Sequence, residues 1–367
     1  MPDSSQKRLV IACGGTGGHL FPGIAVAEEW TRRGGEVLLL ISEKHIDALA
    51  SEGYGHLRFE KMPTVAMPKL VSLKMPGFLI RFVGAFFSCR KLLKSFQADA
   101  VLGMGGFTST APLMAGQSKG LPTFIHESNA IPGRANRLNA KFARTILVGF
   151  ERCVAPFGEG KPVKVVGTPL RPSLAARLPK TETLLEWGLD PAKKTILVMG
   201  GSQGARRLNE LVSSSLAEFA EAGIQILQIS GPKDYDAALP AYEEHPKAGK
   251  LIPFCSEMQK VLAVADLAVC RSGASSLTEL AHYEIPSVLI PYPFAADDHQ
   301  TLNAAIFEEV GAAESWPQGK LGGENFAPRM IELIRNEEKL NRMSEAMKSL
   351  AMPDASGRVC DVICGEL

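Results

Sequence analysis

The chain has 367 residues, of which 46% are hydrophobic and 22% are charged, a composition that excludes a disordered protein and has room for two domains. No apolar run approaches the roughly 20 residues of a membrane-spanning helix, and we expect no signal peptide, because only about five apolar residues follow Lys7 and Arg8. Residues 1–170 carry 21 Lys and Arg against 12 Asp and Glu, although the net charge of the whole chain is only +1, so the N-terminal half favours an anionic partner.

The seven cysteines are scattered, without the spacing of a disulfide framework or a zinc site. This usage indicates reduced thiols in a cytoplasmic protein. Nucleic acid is not the expected anionic partner, because no nucleic-acid-binding motif accompanies the positive charge.

Three glycine clusters each follow a short apolar run, at residues 14–18, 103–106 and 200–204. Each cluster predicts a buried strand, a tight turn and the start of a helix. Glycine lets a backbone approach a ligand closely, and the N–H groups at a helix start favour an anion. Three such loops, in two widely separated parts of the chain, indicate two doubly wound halves that face a phosphate-bearing ligand.

Strand-like runs alternate with helical patterns along almost the whole chain, which is typical of parallel sheets covered on both faces. The Pro- and Gly-rich stretch 166–172 is the best linker candidate. We therefore expect one domain at 1–168 and a second at 169–352, with the tail 353–367 packing back on the first. The predicted strands after the first one are 37–41, 100–102, 123–126, 145–148, 196–199, 224–229, 250–253, 267–270 and 287–290, and the last predicted helices are 324–335 and 338–350.

His19 follows the first glycine loop, at the predicted start of a helix. A histidine in this position either caps and packs the helix or handles a proton of a bound hydroxyl. The segment from His126 to Asn129 follows a predicted strand and so lies at the edge where open α/β sheets bind ligands, although an ordinary polar loop has the same pattern. Arg134 and Arg137 come next, either solvated or facing an anion.

Residues 270–279 again predict a strand, a loop and a helix, and Glu279 lies in the second turn of that helix. A carboxylate there can accept hydrogen bonds from the two hydroxyls of a ribose while the helix start faces a diphosphate. A solvated glutamate is the commoner alternative.

Polar residues also follow the last predicted strand, at 297–303. Adjacent side chains such as Asp297, Asp298 and His299 seldom converge on one ion, so we expect no metal site. Gln300 and Asn303, three residues apart on one helix face, better fit a pair of amides that binds a sugar.

Five motifs together resemble those of the MurG family, the UDP-N-acetylglucosamine: undecaprenyl-diphosphate-muramoyl-pentapeptide N-acetylglucosaminyltransferases of peptidoglycan synthesis. They occur in the family's order, between residues 8 and 310. The motifs are GGTGGHLFPG at 14–23, HESNA at 126–130, GGSQGA at 200–205, RSGA at 271–274 and HQTLNA at 299–304.

The resemblance implies an α/β protein with the GT-B fold, in which two Rossmann-like domains face a cleft. It implies an inverting transfer of N-acetylglucosamine from UDP-N-acetylglucosamine to the C4 hydroxyl of the muramoyl unit of lipid I, which forms lipid II. It also implies an acceptor and membrane-binding first domain, a UDP-sugar-binding second domain, no cofactor, and a peripheral location at the cytoplasmic face of the bacterial inner membrane.

The resemblance further assigns residues to the two substrates. The donor contacts of the first domain are Thr16, Gly17, Gly18 and Asn129. Those of the second domain are Arg171, Ser202, Gln203, Cys255 (through its backbone to the uracil), Ala274, Ser275, Ser276, Leu277, Thr278, Glu279, Gln300 and Asn303. The second glycine loop, with Gly105, Gly106 and Phe107, binds the acceptor. Catalysis needs a base for the acceptor hydroxyl, and we expect His19 to be this base, with Glu127 as the alternative.

Other classes of protein remain as alternatives. A UDP-N-acetylglucosamine 2-epimerase of the same fold would need more carboxylates around the sugar, and only Glu127 is an obvious one. A non-catalytic nucleotide-sugar-binding subunit would bind the donor without turnover. An NAD enzyme is disfavoured, because the first loop lacks the G-x-G-x-x-G spacing.

A basic and apolar stretch between Lys61 and Ala98 predicts a membrane surface. It holds seven Lys and Arg residues and no acidic residue. Part of its apolar stripe must belong to the core, yet apolar residues ringed by cations are what an interfacial segment needs. The cations are Lys61, Lys69, Lys74, Arg81, Arg90, Lys91 and Lys94, and the apolar residues are Leu73, Met75, Phe78, Leu79, Ile80, Phe82, Val83, Phe86 and Phe87.

Overall fold

The computed structural model describes residues 6–14, 17–42, 52–62, 75–200 and 205–367. The chain divides into two compact units, one formed by Met1–Pro172 with Met352–Leu367 and the other by Ser173–Ala351. The domain limits predicted from the sequence, 1–168 and 169–352, stay a prediction that differs from these unit limits by a few residues.

The strands and helices alternate along both units. The strands are β1 (Arg8–Ala12), β2 (Glu36–Ser42), β3 (Arg58–Met62), β4 (Ala100–Gly103), β5 (Thr123–Glu127), β6 (Thr145–Val148), β7 (Val163–Val165), β8 (Lys194–Met199), β9 (Ile224–Ile229), β10 (Gly249–Ile252), β11 (Leu267–Cys270), β12 (Ser287–Leu289) and β13 (Ala313–Ser315). The α-helices are α1 (Gly17–Arg32), α2 (Met75–Ser95), α3 (Thr110–Gln117), α4 (Arg134–Asn139), α5 (Lys180–Trp187), α6 (Arg206–Ser214), α7 (Leu216–Glu221), α8 (Tyr235–Glu244), α9 (Met258–Ala263), α10 (Ala274–Tyr283), α11 (His299–Glu309), α12 (Gly323–Arg335), α13 (Glu337–Leu350) and α14 (Ala355–Cys364).

Each unit contains one parallel sheet. The first has seven strands in the order β3-β2-β1-β4-β5-β6-β7, and the second has six in the order β10-β9-β8-β11-β12-β13. In both sheets the chain moves outward from the first strand and then crosses back to the other side of it. The strand order therefore reverses between β1 and β4 and between β8 and β11, the positions where doubly wound sheets bind ligands beyond the carboxyl ends of their strands.

Strand β1 shows why these sheets are covered on both faces. Leu9 and Ile11 point into one core with α1 and α14, whereas Val10 and Ala12 point into a second core with α2 and α3. A strand that is buried on both sides reads as a continuous apolar run, which is how it was visible in the sequence.

The C-terminal helix α14 belongs to the first unit and packs on α1. Arg33 at the end of α1 donates to Asp361 at 2.6 Å and to the Gly357 carbonyl at 3.2 Å. Glu366 accepts a hydrogen bond from Thr145 at 2.7 Å, so the last residues also hold β6.

The sequence pattern did not predict the edge strands β3, β7 and β13. Strand β3 reads RFEKM and is only partly buried, and the other two have three residues each. Short, half-polar strands have too little alternation to be distinguished from loops. Among the described helices, none combines the length and the apolar character that crossing a bilayer requires.

Candidate active site

Gly14, which opens the first glycine cluster, lies beside the second glycine loop at the strand-order reversal of the first sheet. The Thr108 hydroxyl donates to the Gly14 carbonyl at 2.7 Å, and the Ser109 hydroxyl oxygen lies 3.1 Å from the Ala12 carbonyl. The Met104 N–H donates to the same Ala12 carbonyl at 2.8 Å. These contacts hold the segments that follow β1 and β4 against each other.

His19, in the first turn of α1, lies with its ring against the second glycine turn. A Cβ atom on Gly105 would be 2.9 Å from its Nε2 atom, and one on Gly106 would be 3.5 Å from its Nδ1 atom. Both glycines also have positive φ, 115° and 71°, a conformation that other residues rarely adopt. Glycine is therefore required here by the backbone conformation and, at Gly105, also by the histidine ring.

Glu127, at the end of β5, is 5% exposed and accepts four hydrogen bonds. Its Oε1 accepts from the backbone and side-chain N–H groups of Asn129 at 3.0 and 2.9 Å. Its Oε2 accepts from Gly133 N and Asn136 Nδ2, both at 3.0 Å. This carboxylate therefore ties the loop after β5 to the start of α4, and the amide of Asn129 is engaged in the same interaction.

His126, next to it, is fully buried, and its Nε2 lies 2.8 Å from the Gly167 carbonyl, to which it donates. Burial lowers the pKa of His126 from its ordinary value, with smaller opposing contributions from this hydrogen bond and from Glu127. A neutral, buried histidine fastens β5 to the segment that leads out of the unit.

The side chain of Phe107, the residue after the second glycine turn, packs on α2. Its ring lies 5.6 Å, centroid to centroid, from the rings of both Phe78 and Phe82 on α2. The ring therefore packs between the glycine turn and α2. A small apolar pocket adjoins it, lined by Met62, Phe82, Ala85, Phe107, Thr108, Ala111 and Pro112.

Of the donor contacts expected in α1, Gly17 is half-buried and Gly18 is exposed.

In the second unit, Arg271 follows β11 and turns inward. Its guanidinium donates to the Ile290 and Pro291 carbonyls at 2.9 and 3.3 Å and to Gln318 at 2.6 Å. It also lies 5.5 Å from the centroid of the Tyr292 ring. Burial lowers the pKa of Arg271 from its ordinary value. The charge is thus used to hold the loops after β11 and β12 together.

Helix α10 begins at Ala274, directly after this loop, and carries Glu279 in its second turn. Glu279 is 6% exposed, although it is a carboxylate at the ligand-binding edge of the sheet. Of the residues between them, Ser275 and Ser276 are half-buried and Leu277 and Thr278 are buried. The Thr278 hydroxyl donates to the Ala274 carbonyl at 2.9 Å. Cys255 is half-buried in the loop after β10.

The predicted amide pair on α11 separates into two different environments. Gln300 is half-buried, and its Oε1 accepts from the Tyr292 N–H at 2.9 Å. Asn303 is fully buried, and its Nδ2 donates to the Ser272 carbonyl at 2.9 Å. Asn303 therefore holds the loop after β11 from inside the fold, where its side chain cannot meet a sugar without rearrangement.

Some predicted donor contacts are placed elsewhere or not described. Arg171, expected to act from the second domain, belongs to the first unit, and its guanidinium lies 4.2 Å from the Phe21 ring centroid on α1. Thr16, Ser202 and Gln203 lie outside the described residues, and so do Lys69, Leu73 and Lys74 of the basic stretch.

Within the described ranges, no group of three or more His, Cys, Asp and Glu side chains has the arrangement of a metal site. Sequence reasoning missed three buried polar residues behind the second glycine turn: Ser109, Asn136 and Asn139. The three-residue spacing of the two asparagines on α4 was the available signal, since it puts both amides on one helix face.

Comparison with known protein families agrees with this architecture. Residues 9–148 match the N-terminal domain of glycosyltransferase family 28, and residues 195–359 match its C-terminal domain. The structure is also similar to the crystal structure of Acinetobacter baumannii MurG, with a TM-score of 0.76 and 26% identity, covering 99% of this chain and 100% of that one. A glycosyltransferase of kitacinnamycin, 16% identical, shares the fold with a TM-score of 0.73. The chain is a glycosyltransferase with the GT-B fold, as the sequence motifs predicted.

Relatives that align with nearly the whole chain identify the family within the glycosyltransferases. A protein of Geobacter sulfurreducens is 38% identical over 96% of this chain and 97% of its own length, and one of Halothermothrix orenii is 34% identical over 97% and 98%. Both are named UDP-N-acetylglucosamine–N-acetylmuramyl-(pentapeptide) pyrophosphoryl-undecaprenol N-acetylglucosamine transferase. The chain belongs to this family, which confirms the resemblance to MurG and does not favour the epimerase alternative.

Proposed function

We propose that the protein transfers N-acetylglucosamine from UDP-N-acetylglucosamine to the C4 hydroxyl of the muramoyl unit of lipid I, and so forms lipid II for peptidoglycan. The observation that carries this proposal is the similarity along nearly the full length to transferases named for these substrates. The reaction inverts the sugar: the hydroxyl oxygen bonds to the anomeric carbon while the bond from that carbon to the diphosphate breaks, and UDP leaves with the electron pair.

The acceptor hydroxyl must lose its proton in this step, and His19 is the best-placed base in the first unit. Its ring is half-buried at the carboxyl edge of the sheet, against the glycine turn. Glu127, the alternative, already accepts four hydrogen bonds and is buried. We therefore assign proton transfer to His19 and the positioning of the loop after β5 to Glu127.

The second unit would hold most of the donor. Glu279 is buried in the second turn of α10 and would accept hydrogen bonds from the ribose hydroxyls, while the half-buried Ser275 and Ser276 in the first turn of the same helix would meet the diphosphate. Gln300 would contact the sugar, and Cys255 the uracil through its backbone. The predicted contacts of Thr16, Gly17, Gly18, Asn129, Arg171, Ser202 and Gln203 with the donor belong to the same proposal.

A direct assay tests this function. The full chain is incubated with labelled UDP-N-acetylglucosamine and a lipid I analogue, and disaccharide product is measured. We expect product that requires both substrates. Conversion of the donor to UDP-N-acetylmannosamine without an acceptor would instead identify an epimerase, and donor binding without any product would identify a binding subunit.

The first unit is proposed to bind the acceptor and the membrane, which would place the enzyme at the cytoplasmic face of the bacterial inner membrane. Helix α2 presents an apolar face to solvent, in which Ile80 is 75% and Phe87 63% exposed and Leu79 and Val83 are about half exposed. Ile80, Val83 and Phe87 recur every three or four residues and Leu79 lies four residues before Val83, so the four side chains form one stripe. The exposed cations beside it on the same helix are Arg81, Arg90, Lys91 and Lys94.

The structure also separates this stripe from the core residues of the same helix. Phe78 is buried and stacks on Phe82 at 6.0 Å, and Phe86 is half-buried. The exposed stripe would insert between lipids while each nearby cation adds about 1 kcal/mol of attraction to an anionic surface.

Co-sedimentation with phosphatidylglycerol vesicles tests the membrane proposal. We expect wild type to sediment with the vesicles, less so at high salt, and Ile80→Ser/Phe87→Ser to remain in the supernatant while retaining its thermal stability. Leu185→Ser is the matched control, because Leu185 is 61% exposed in the second unit. Equal sedimentation of the double variant and wild type would show that α2 is not the membrane surface.

A further inference from the structure

Two side chains hold the second glycine turn through hydrogen bonds to its carbonyl oxygens. The Ser109 hydroxyl lies 2.8 Å from the Gly105 carbonyl, and Asn139 Nδ2 lies 3.1 Å from the Gly106 carbonyl. Both fastening side chains are fully buried. In the described part of the chain, neither the Gly106 nor the Phe107 N–H group donates to another group.

The geometry of a trans peptide makes this arrangement directional. The C=O of one residue and the N–H of the next belong to one planar unit and point in opposite directions. Fixing the Gly105 carbonyl inward therefore directs the Gly106 N–H outward, and fixing the Gly106 carbonyl does the same for the Phe107 N–H. The two consecutive N–H groups therefore point away from the buried side chains that hold the carbonyls, toward the side from which an anion can accept from them.

A second layer of hydrogen bonds determines how the Asn139 amide is oriented. The Thr110 hydroxyl donates to Asn139 Oδ1 at 2.7 Å, so Nδ2 is the atom that faces the Gly106 carbonyl. Asn139 Nδ2 also lies 3.3 Å from Asn136 Oδ1, and Asn136 Nδ2 in turn donates to Glu127. The glycine turn is thus connected through buried amides to the carboxylate at the end of β5.

We propose that Ser109 and Asn139 are positioning residues that aim the Gly106 and Phe107 N–H groups at the diphosphate of the acceptor. The inference rests on the proposed function. A diphosphate fits because it offers several anionic oxygens to donors that are already oriented, so that little reorganisation is needed on binding. The turn lies in the first unit, beside His19, which assigns the diphosphate to the acceptor, whereas that of the donor is assigned to α10.

Steady-state kinetics of the full chain with UDP-N-acetylglucosamine and a lipid I analogue test this assignment. We expect Ser109→Ala and Asn139→Ala each to raise the KM of the acceptor about tenfold, with the KM of the donor within twofold of wild type. A merely structural defect would change both substrates alike or reduce the amount of folded enzyme.

Two buried side chains of the second unit provide matched controls. The Ser215 hydroxyl donates to the Leu211 carbonyl, and the Gln225 amide donates to the Asp190 carbonyl, in surroundings as buried as those of Ser109 and Asn139. Ser215→Ala and Gln225→Ala should lower the melting temperature by a similar amount and leave the KM of the acceptor unchanged.

A second measurement does not depend on turnover. Inorganic pyrophosphate is titrated into protein that carries ¹⁵N-glycine and ¹⁵N-phenylalanine, and we expect the amide signals of Gly106 and Phe107 to shift in wild type but not in Asn139→Ala. Absence of a shift in wild type, or a raised donor KM in place of a raised acceptor KM, would overturn the proposal. If wild type makes no lipid-linked product, the proposed function fails, and the amide shifts still decide whether the turn binds a diphosphate.

Discussion

In the first unit, the loop after β4 is a glycine turn, and the buried side chains of Ser109 and Asn139 hydrogen-bond to its carbonyls. In the second unit, the loop after β11 carries Arg271, and the guanidinium of this residue hydrogen-bonds to carbonyls of a neighbouring loop. The two loops occupy equivalent places, because both sheets have the same order of strands up to the sixth. The first arrangement leaves backbone N–H groups and a histidine at the surface. The second leaves the start of a helix with a buried glutamate.

This difference shows how one topology supports two kinds of binding. The strand order fixes where the ligand-binding edge lies. We propose that the buried side chains behind each loop determine whether main-chain donors or a carboxylate face the ligand. The four experiments below test the functions proposed for individual residues of the first unit (His19, Glu127 and His126) and of the second unit (Glu279).

Replacing His19 should have the largest effect. His19→Ala removes the proposed base, and we expect kcat to fall by about 10²-fold or more while the affinity for UDP stays near that of wild type. Calorimetry with UDP and steady-state assays measure the two quantities. His56→Ala, in an exposed histidine paired with Glu28 at 2.7 Å, is the control. A kcat within threefold of wild type would make His19 a packing residue.

Replacing Glu279 of the second unit should weaken the binding of the donor. Glu279→Ala eliminates the charged hydrogen bonds expected for the ribose, so the KM of the donor should rise roughly tenfold or more with a smaller change in kcat. Glu314→Ala, which alters another partly buried carboxylate of this unit, should leave the KM unchanged. Equal UDP affinity of wild type and Glu279→Ala in calorimetry would remove Glu279 from the site.

Glu127 offers a way to separate positioning from catalysis. In Glu127→Gln an NH₂ group replaces one acceptor oxygen in front of N–H donors, and we expect the free energy of unfolding to fall by about 1–3 kcal/mol. Urea unfolding at pH 7 measures this change. A variant as stable as wild type that has nevertheless lost kcat would restore Glu127 as the base.

We expect the smallest effect from His126, the buried histidine of the first unit, which should make the free energy of unfolding depend on pH. Burial lowers the pKa of His126 in the folded chain below its ordinary value of 6.5. The unfolded chain then binds the proton more readily, so the free energy of unfolding should decrease as the pH falls below 6.5.

In His126→Gln this decrease should become smaller, as measured by urea unfolding between pH 5 and 8. Part of the slope should remain, because burial also lowers the pKa of His282 in the second unit. An unchanged slope would show that His126 does not titrate on unfolding.

Much of the fold could be predicted from apolar runs. Strands β9 and β11 have the predicted bounds, because interior strands of a parallel sheet are continuous apolar segments with clear ends. The edge strands β3, β7 and β13 could not be predicted, since one side of each lacks a neighbour and polar residues are tolerated there.

The positions of His19, Glu127 and Glu279 in the fold could be predicted, because each belongs to a motif at the end of a strand or in the helix that follows it. What the motif could not reveal is the direction of a side chain. Asn303 has the spacing of a sugar ligand but faces inward, and Phe107 follows the glycines but packs on α2. Such directions depend on partners far along the chain, which no local pattern records.

Helix α14 has a consequence for how the molecule is made. Val359, Cys360 and Ile363 complete the same core as Trp30 and Ile24, so the unit that is synthesised first is the last to be complete. At the ordinary pace of a ribosome, about 5–20 residues per second, residue 172 precedes residue 367 by roughly ten to forty seconds. For that interval the side of α1 that packs on α14 lacks its cover on the nascent chain, and the second unit, which ends at Ala351, has all of its residues before the first unit does.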